Sequence, residues 1–346
     1  MVMAKRKICK KRKEKPQRVE YHMQRDGVTQ SMLQNYFACR QRAKFSLDGW
    51  RRVGGSKRAI EFGNLFHFLL EKWYSAKPSA SASASASASA SASTSFFETC
   101  ADQWLVRAAK IGDDLQAVEE DLARAAPVFR GYIDYWSKAD RQKTWVELEE
   151  TFDVIYQMFP GGTGKYRLRG RCDGIFYSKK QRSREYWLFE TKTKGVISED
   201  TISAALAFDF QNQFYITAKE LETRKKITGV VYNVIRRPGA KLNAAGDIQE
   251  LGGRIKADVE KQPDHYFKRF EVPYPREILK KFKEKELPNK LLEFNAWWNG
   301  FLYCTFKNQS ACVSRWNCEY LDACADCNGK MVGYVQDGRL FPELED

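Results

Sequence analysis

The chain has 346 residues, of which 43% are hydrophobic, enough to bury one elaborated domain or two ordinary ones. No apolar run approaches the roughly 18 to 20 residues that cross a bilayer, and the basic N-terminus lacks the apolar segment of a signal peptide. A soluble, intracellular protein with no membrane partner is expected, and nine cysteines in such a chain argue against a disulfide framework.

The net charge of +14 suggests a polyanionic partner, but it is unevenly spread. Residues 1 to 18 carry nine Lys and Arg against the single acid Glu14, so they supply +8 and the rest of the chain only +6. A run of this kind repels itself. It reads as a disordered basic tail over residues 1–24, suited either to phosphate backbones or to a localisation signal that would make the protein nuclear.

Beyond the tail, Thr29 or Ser31 can cap a short helix through Met32, Leu33, Tyr36 and Phe37, with Cys39 near its end. A second helix is predicted over about Ala59 to Tyr74, where Phe62, Phe66, Leu69, Leu70 and Trp73 recur at helical spacing around His67. The Ser-Ala alternation of residues 78–95 has nothing large enough to anchor a core and reads as a linker or surface loop. Amphipathic helical sequence then runs from Phe96 to Trp136, broken or kinked near Pro127, and Trp145 to Tyr156 alternates as a strand.

The stretch from Gly170 to Lys192 is the most informative. Arg169 to Tyr177 and Tyr186 to Lys192 are two strand-like runs separated by a polar, basic turn, which predicts a β-hairpin. Side chains alternate along a strand, so Glu190 and Lys192 share a face, and a suitable register brings Asp173 beside them. Two acids and an ammonium could hold a hard cation and a phosphodiester together. E-x-K also occurs by chance on solvated sheets, but here it ends the apolar run Trp187, Leu188, Phe189, where isolated charges need a reason. Thr201 to Leu221 then reads as a helix, Ile227 to Ile235 as a buried strand, residues 239–264 as an irregular insertion, and 274–300 as helical sequence interrupted at Pro288. Helices, three strands, helix and strand in that order fit an α/β sandwich with a mixed central sheet.

Three motifs join the hairpin: Gly63-Asn64-Leu65-Phe66-His67, Gly170-Arg171-Cys172-Asp173 and Gln211-Asn212-Gln213-Phe214-Tyr215. In this order the set resembles the PD-(D/E)XK nuclease superfamily, specifically its RecB-like branch, over about residues 29 to 327. The resemblance implies a restriction-endonuclease-like core at 170–236 within a single domain spanning 25–346. It further implies that His67, Asp173, Glu190 and the Thr191 carbonyl ligate Mg²⁺ or Mn²⁺, and that Lys192 orients the attacking water. Gln211 and Tyr215 would brace the site and the nucleic-acid strand. Outside that context His67 is an ordinary core histidine, and Gln211 and Tyr215, one turn apart, an ordinary buried pair. Glu147, Glu149 and Glu150 read as structural or solvated.

Cys39, Cys312, Cys318 and Cys324 resemble the cluster ligands of iron–sulfur members such as AddAB-type nuclease subunits and CRISPR-associated RecB-like exonucleases. The late spacing here is C-x₅-C-x₅-C rather than the commoner C-x₂-C-x₅-C. A [4Fe–4S] cluster tolerates varied spacing; zinc is the alternative, helped by Cys324 and Cys327 as a C-x₂-C, within a cysteine-rich segment at 304–330. Cys9, Cys100, Cys172 and Cys304 read as ordinary thiols. The function implied is a metal-dependent deoxyribonuclease, in the first instance an exonuclease of recombination, repair or phage-type DNA processing. It would act on single- or double-stranded DNA, with room for a helicase or recombination partner. The alternative is an inactive DNA-binding or scaffold protein on the same fold. A motor within the chain is not supported, because no G-x-x-x-x-G-K-[ST] loop is present.

Overall fold

The computed structural model describes residues 20–53, 58–76, 86–158, 164–178, 184–302, 305–313, 317–325, 331–341 and 344, with backbone alone for 86–91. Residues 1–19, residues 77–85 with the first part of the Ser-Ala run, and Cys9, Cys304 and Cys327 lie outside them.

The N-terminal elements are α1 (Met23–Asp26), β1 (Val28–Thr29), α2 (Gln30–Ala38), α3 (Arg40–Leu47) and β2 (Trp50–Arg52). Folded structure begins earlier than the expected tail boundary at 24. Tyr21 is buried, its hydroxyl donates to the Gly27 carbonyl at 2.9 Å, and the Trp298 indole donates to the Tyr21 carbonyl at 3.0 Å. Thr29 caps α2 by accepting from the Met32 amide, so the capping choice falls on Thr29 rather than Ser31.

Three long helices follow: α4 (Arg58–Ser75), α5 (Ala86–Ile111) and α6 (Leu115–Asp140). Helix α5 starts inside the stretch expected to be a linker, and Ser93 is fully buried: alanine is the best helix former, and a neighbouring apolar surface lets the run continue backward from Phe96. Of the break or kink expected near Pro127, the break does not occur. Pro127 lies inside α6, and the chain instead turns at Gly112, whose φ of +79° suits glycine, before Asp114 caps α6 through the Gln116 and Ala117 amides.

The sheet strands are β3 (Lys143–Gln157), β4 (Lys165–Ser178), β5 (Tyr186–Lys194), β6 (Ile227–Arg236) and β7 (Phe267–Pro273). Helices α7 (Glu199–Leu206) and α8 (Phe210–Thr223) connect β5 to β6; α9 (Ile248–Lys261) and α10 (Pro263–Tyr266) connect β6 to β7. The single helix expected over 201–221 is thus two, divided at Ala207–Asp209. The region read as an irregular insertion contains α9, which buries Leu251, Ile255 and Val259 at helical spacing. Towards the C-terminus lie α11 (Arg276–Lys281), a π-turn at Phe282–Glu286, α12 (Leu287–Trp298), α13 (Gln309–Cys312), α14 (Leu321–Ala325) and β8 (Tyr334–Gln336). The helical sequence is interrupted near Pro288 as expected: the π-turn runs directly into α12, whose second residue is Pro288, which has no amide to continue the ladder.

The sheet order is β1-β4-β5-β6-β7, with β3 antiparallel along the other edge of β4. Strands β4 and β5 form the predicted antiparallel hairpin, in register from Gly174 opposite Phe189 to Tyr177 opposite Tyr186, and β6 runs parallel to β5. The sheet is mixed and flanked by helices, as its element order predicted. One apolar cluster joins β4, β5 and β6 to α2, α8 and α12; another joins α4, α5, α6 and α9 to Ile235 and Phe267. No helix of the described residues is long and apolar enough to cross a membrane.

Charge is buried between α6 and the sheet. The Arg269 guanidinium donates to both oxygens of Asp140 at 2.6 and 2.9 Å, to the Tyr132 hydroxyl at 2.6 Å and to Asn233 Oδ1 at 3.0 Å, and lies 4.1 Å from the centre of the Trp136 ring. Lys143 and Tyr74 also donate to Asp140, at 2.6 and 2.7 Å. Removing one member leaves opposite charge buried without compensation. Asp140→Ala should therefore destabilise the protein by about 3–5 kcal/mol, read as a lower urea midpoint, whereas substitutions at exposed Glu150 should leave the midpoint within about 0.5 kcal/mol of wild type.

Candidate active site

The hairpin opens where β4 leaves β5. On one edge β4 pairs with β1 at Leu168–Arg169 and with β5 from Gly174 onward, so its residues between those two pairings face a fork. Asp173 fills it: its Oδ2 accepts the Thr191 amide at 2.6 Å, taking the place of a strand partner. The carboxylate is thereby fixed against β5.

Glu190, one residue earlier on β5, is 1% exposed. Its Oε1 accepts from Gln211 Nε2 at 2.7 Å and lies 2.5 Å from Lys192 Nζ, while its Oε2 has no hydrogen-bond partner. Helix α8 supplies Gln211, and Tyr215 one turn on packs its ring 5.6 Å from that of Phe152. Gly170 makes this possible, because a Cβ there would meet Phe152 at 2.5 Å and Tyr215 at 3.3 Å.

His67 comes from α4. Its Nδ1 lies 3.0 Å from Glu149 Oε1 and 3.6 Å from Asp173 Oδ1. The glycine one turn earlier sets this distance: a Cβ on Gly63 would stand 3.1 Å from Thr193 Oγ1, so the helix backbone approaches β5 closely there. Glu149 reaches the site because β3 is irregular. Its register shifts between Trp145 and Glu147, and Glu149 adopts φ +48°, a left-handed conformation that costs a non-glycine residue energy and turns its side chain out of the regular alternation. Arg171 Nε stands 3.4 Å from the other Glu149 oxygen. Of its neighbours, Glu147 pairs with buried Lys219 of α8 and Glu150 is exposed.

The charges perturb one another. Burial pushes the carboxyls of Asp173 and Glu190 up, and at Glu190 the charge of Asp173 adds to it, bringing that group to about 7. Burial disfavours a charged His67, yet Asp173 and Glu149 outweigh it and raise the imidazole to about 9. Burial likewise opposes the Lys192 ammonium, and Glu190 and Asp173 more than offset that.

His67, Glu149 and Asp173 each offer a ligand atom, all within 4.8 Å of one another. Of the four ligands expected from sequence, this trio holds His67 and Asp173. Glu190 lies outside it and offers Oε2, an orphaned buried oxygen; Thr191 contributes its amide to Asp173. Glu149, expected to be structural or solvated, is the member that sequence reading missed, since nothing in three nearby glutamates marks which one a bulge will turn inward. The donor set of carboxylates and one imidazole suits a hard divalent cation, and the unpartnered Glu190 oxygen is an acceptor such an ion would satisfy.

A polar chain runs behind the site. Asn233 Nδ2 donates to Thr191 Oγ1 at 3.3 Å and Asn233 Oδ1 accepts from Arg269, so Asp173 is linked through Thr191, Asn233 and Arg269 to Asp140. Sequence gave no sign of it.

The cysteines lie apart from this centre. Cys39 at the end of α2 accepts from the Asn308 amide at 3.4 Å, Asn308 Nδ2 donates to the Ala38 carbonyl at 2.8 Å, and the Cys318 amide donates to the Cys312 carbonyl at 2.9 Å. Burial pushes the Cys324 thiol up; Lys307 opposes this, and the nearby Cys318, Cys39 and Cys312 add to it. Contacts thus bring the Cys39 end of α2 against the segment that carries Cys312 and Cys318, while Cys100 and Cys172 are buried.

This fold and a group of residues that could hold a metal ion fit a nuclease, and the comparison with known families agrees. The profile of the PD-(D/E)XK nuclease superfamily matches residues 28–325, and the chain belongs to that superfamily. No curated protein gives a match.

The shift at His67 predicts a pH dependence. Its imidazole binds a proton more tightly folded, at about 9, than at the ordinary 6.5, so it contributes stability that is full below about 6.5 and lost as pH rises through about 9. In EDTA, the melting temperature should fall across that window, and His67→Gln should flatten the fall; an equally steep fall in the variant would remove His67 as its cause.

Proposed function

We propose that this protein is a divalent-metal-dependent deoxyribonuclease, an exonuclease of the RecB-like branch. One observation carries the reading: Glu149 and Asp173 offer ligand atoms with His67 within 4.8 Å of one another, and the buried Glu190, paired with Lys192, is close enough for the Asp173 charge to act on it. Such a group would repel a phosphodiester unless a cation lay between, so DNA binding without turnover would not call for it. His67, Glu149, Asp173 and Glu190 Oε2 would hold Mg²⁺ or Mn²⁺, which when bound lowers the pKa of a water and neutralises charge on the phosphate.

The chain's own residues supply the rest. Gln211 fixes Glu190, and Glu190 fixes Lys192, whose ammonium points to where charge develops on the phosphorus-bound oxygens and orients the attacking water. Thr191 holds Asp173 in a single orientation, and Tyr215, its phenol driven up first by burial and then by the Glu190 charge, stays neutral beside Gln211. End-labelled single- and double-stranded DNA with Mg²⁺, Mn²⁺ or EDTA tests the assignment. Cleavage should need the metal and release products from an end. Asp173→Ala, Glu190→Ala and Lys192→Ala should each lower it by roughly two orders of magnitude or more while the fold persists. Activity near wild type in either acid variant would defeat the reading.

Cys39, Cys312, Cys318 and Cys324 hold a [4Fe–4S] cluster in this proposal, supported by the contact of the Cys39 end of α2 with Asn308 at the start of the cysteine-bearing segment. The cluster joins chain ends already tied by the antiparallel pairing of β2 with β8 and by the Tyr320 hydroxyl, which donates to the Trp50 carbonyl at 2.8 Å. It is structural, because phosphodiester hydrolysis moves no electrons. Anaerobically purified protein should be brown with about four irons per chain. A colourless protein with one zinc would replace the cluster with zinc and leave the nuclease centre intact.

A further inference from the structure

The turn between α7 and α8 carries the most exposed large hydrophobic side chain among the described residues: Phe208, at 82%. The turn beneath it is rigid. The Phe208 amide donates to the Ala205 carbonyl at 3.2 Å, the Asp209 amide to the Leu206 carbonyl at 3.3 Å, the Tyr274 hydroxyl also donates to the Leu206 carbonyl, and Asp209 caps α8 by accepting the Asn212 amide at 2.8 Å. Helix α7 buries Ile202 and Leu206 on its inner face, which leaves Phe208 off the apolar stripe and facing water.

Position gives this exposure a meaning. Gln211, three residues on, touches Glu190, and Asp209 and Lys192 both act on the Tyr232 hydroxyl, so the turn stands at the rim of the candidate active site. Around Phe208, Ser203, Ala204, Ala205 and Ala207 are exposed, and Asp209 is the charged neighbour within the turn. On β5, Lys194 follows Lys192 on the same face, roughly 7 Å further along, and pairs in register with Arg236 of β6. The site therefore has cations suited to phosphates and, on the turn at its rim, an exposed aromatic ring.

We propose that Phe208 stacks on the nucleobase flanking the scissile phosphate, and that the site accordingly takes an unpaired DNA strand. A paired base within a duplex has both faces covered by its neighbours, whereas every base of a single strand offers a face, and aromatic stacking is the usual sequence-tolerant way to hold one. The inference rests on the nuclease reading for the identity of the ligand.

The test uses a single-stranded oligonucleotide carrying 2-aminopurine, whose fluorescence is quenched on stacking, bound to the full chain in Ca²⁺ with anisotropy reporting saturation. Wild type and Phe208→Trp should quench the bound probe at one position, and Phe208→Ala should not. Equal quenching by Phe208→Ala, or a bound probe as bright as the free one at every position, overturns the proposal. In Mg²⁺, Phe208→Ala should lower kcat/KM on single strands about ten-fold or more, and an abasic residue at the flanking position should lower wild type equally. The two changes should not compound, and multiplying effects would also overturn it. Quenching without any cleavage would dismiss the nuclease reading and leave the stacking contact standing.

Discussion

Much of this molecule follows from one backbone amide. The Thr191 N–H lies on a central strand where its neighbour β4 has turned away, and a buried amide must find an acceptor. Asp173 provides it. The same bond that satisfies the sheet fixes a carboxylate in one orientation at the mouth of the fork, so the site is part of the sheet rather than an addition to it. Behind it, Asn233 and Arg269 carry the constraint on to Asp140 at the end of α6, in a chain where each polar group is buried and each has its partner.

The second constraint is electrostatic. Burial raises the proton affinity of Asp173 and Glu190, the Glu149 charge adds to it at Asp173 and the Asp173 charge at Glu190, and His67 and Lys192 oppose it at both. Their arrangement costs backbone energy at Glu149, whose left-handed conformation persists because β3 is held along its whole length by β4. A surface cluster of acids would simply spread apart. Here Arg171, Gln211 and the Thr191 amide hold the carboxylates in place.

The N- and C-terminal segments meet away from this centre. The Asn308 side chain, the β2–β8 ladder and the Tyr320 hydroxyl close a loop of nearly the whole chain, and the four thiols sit at that closure. Closing so long a loop removes conformational freedom chiefly from the unfolded chain, so a ligand bridging those thiols acts on stability before it acts on chemistry.

Local pattern determined what was legible in the sequence. The hairpin, the helix around His67, the buried strand of β6 and the mixed sheet all rest on periodicities that a single segment carries, and so did the pairing of Glu190 with Lys192 two residues apart on one strand. Tertiary structure decided the remainder. Glu149 enters the site through an irregularity of β3 against β4, and the Ser-Ala run is helical over Ala86 to Ser95, with Ser93 buried. Asp140, Arg269 and Asn233 join residues far apart in the chain, and Phe208 is exposed because helix phase and the α8 cap leave it no inward position. None of these has a local signature: each depends on which distant atoms stand next to it, and a periodicity records only which face a residue shares with its near neighbours.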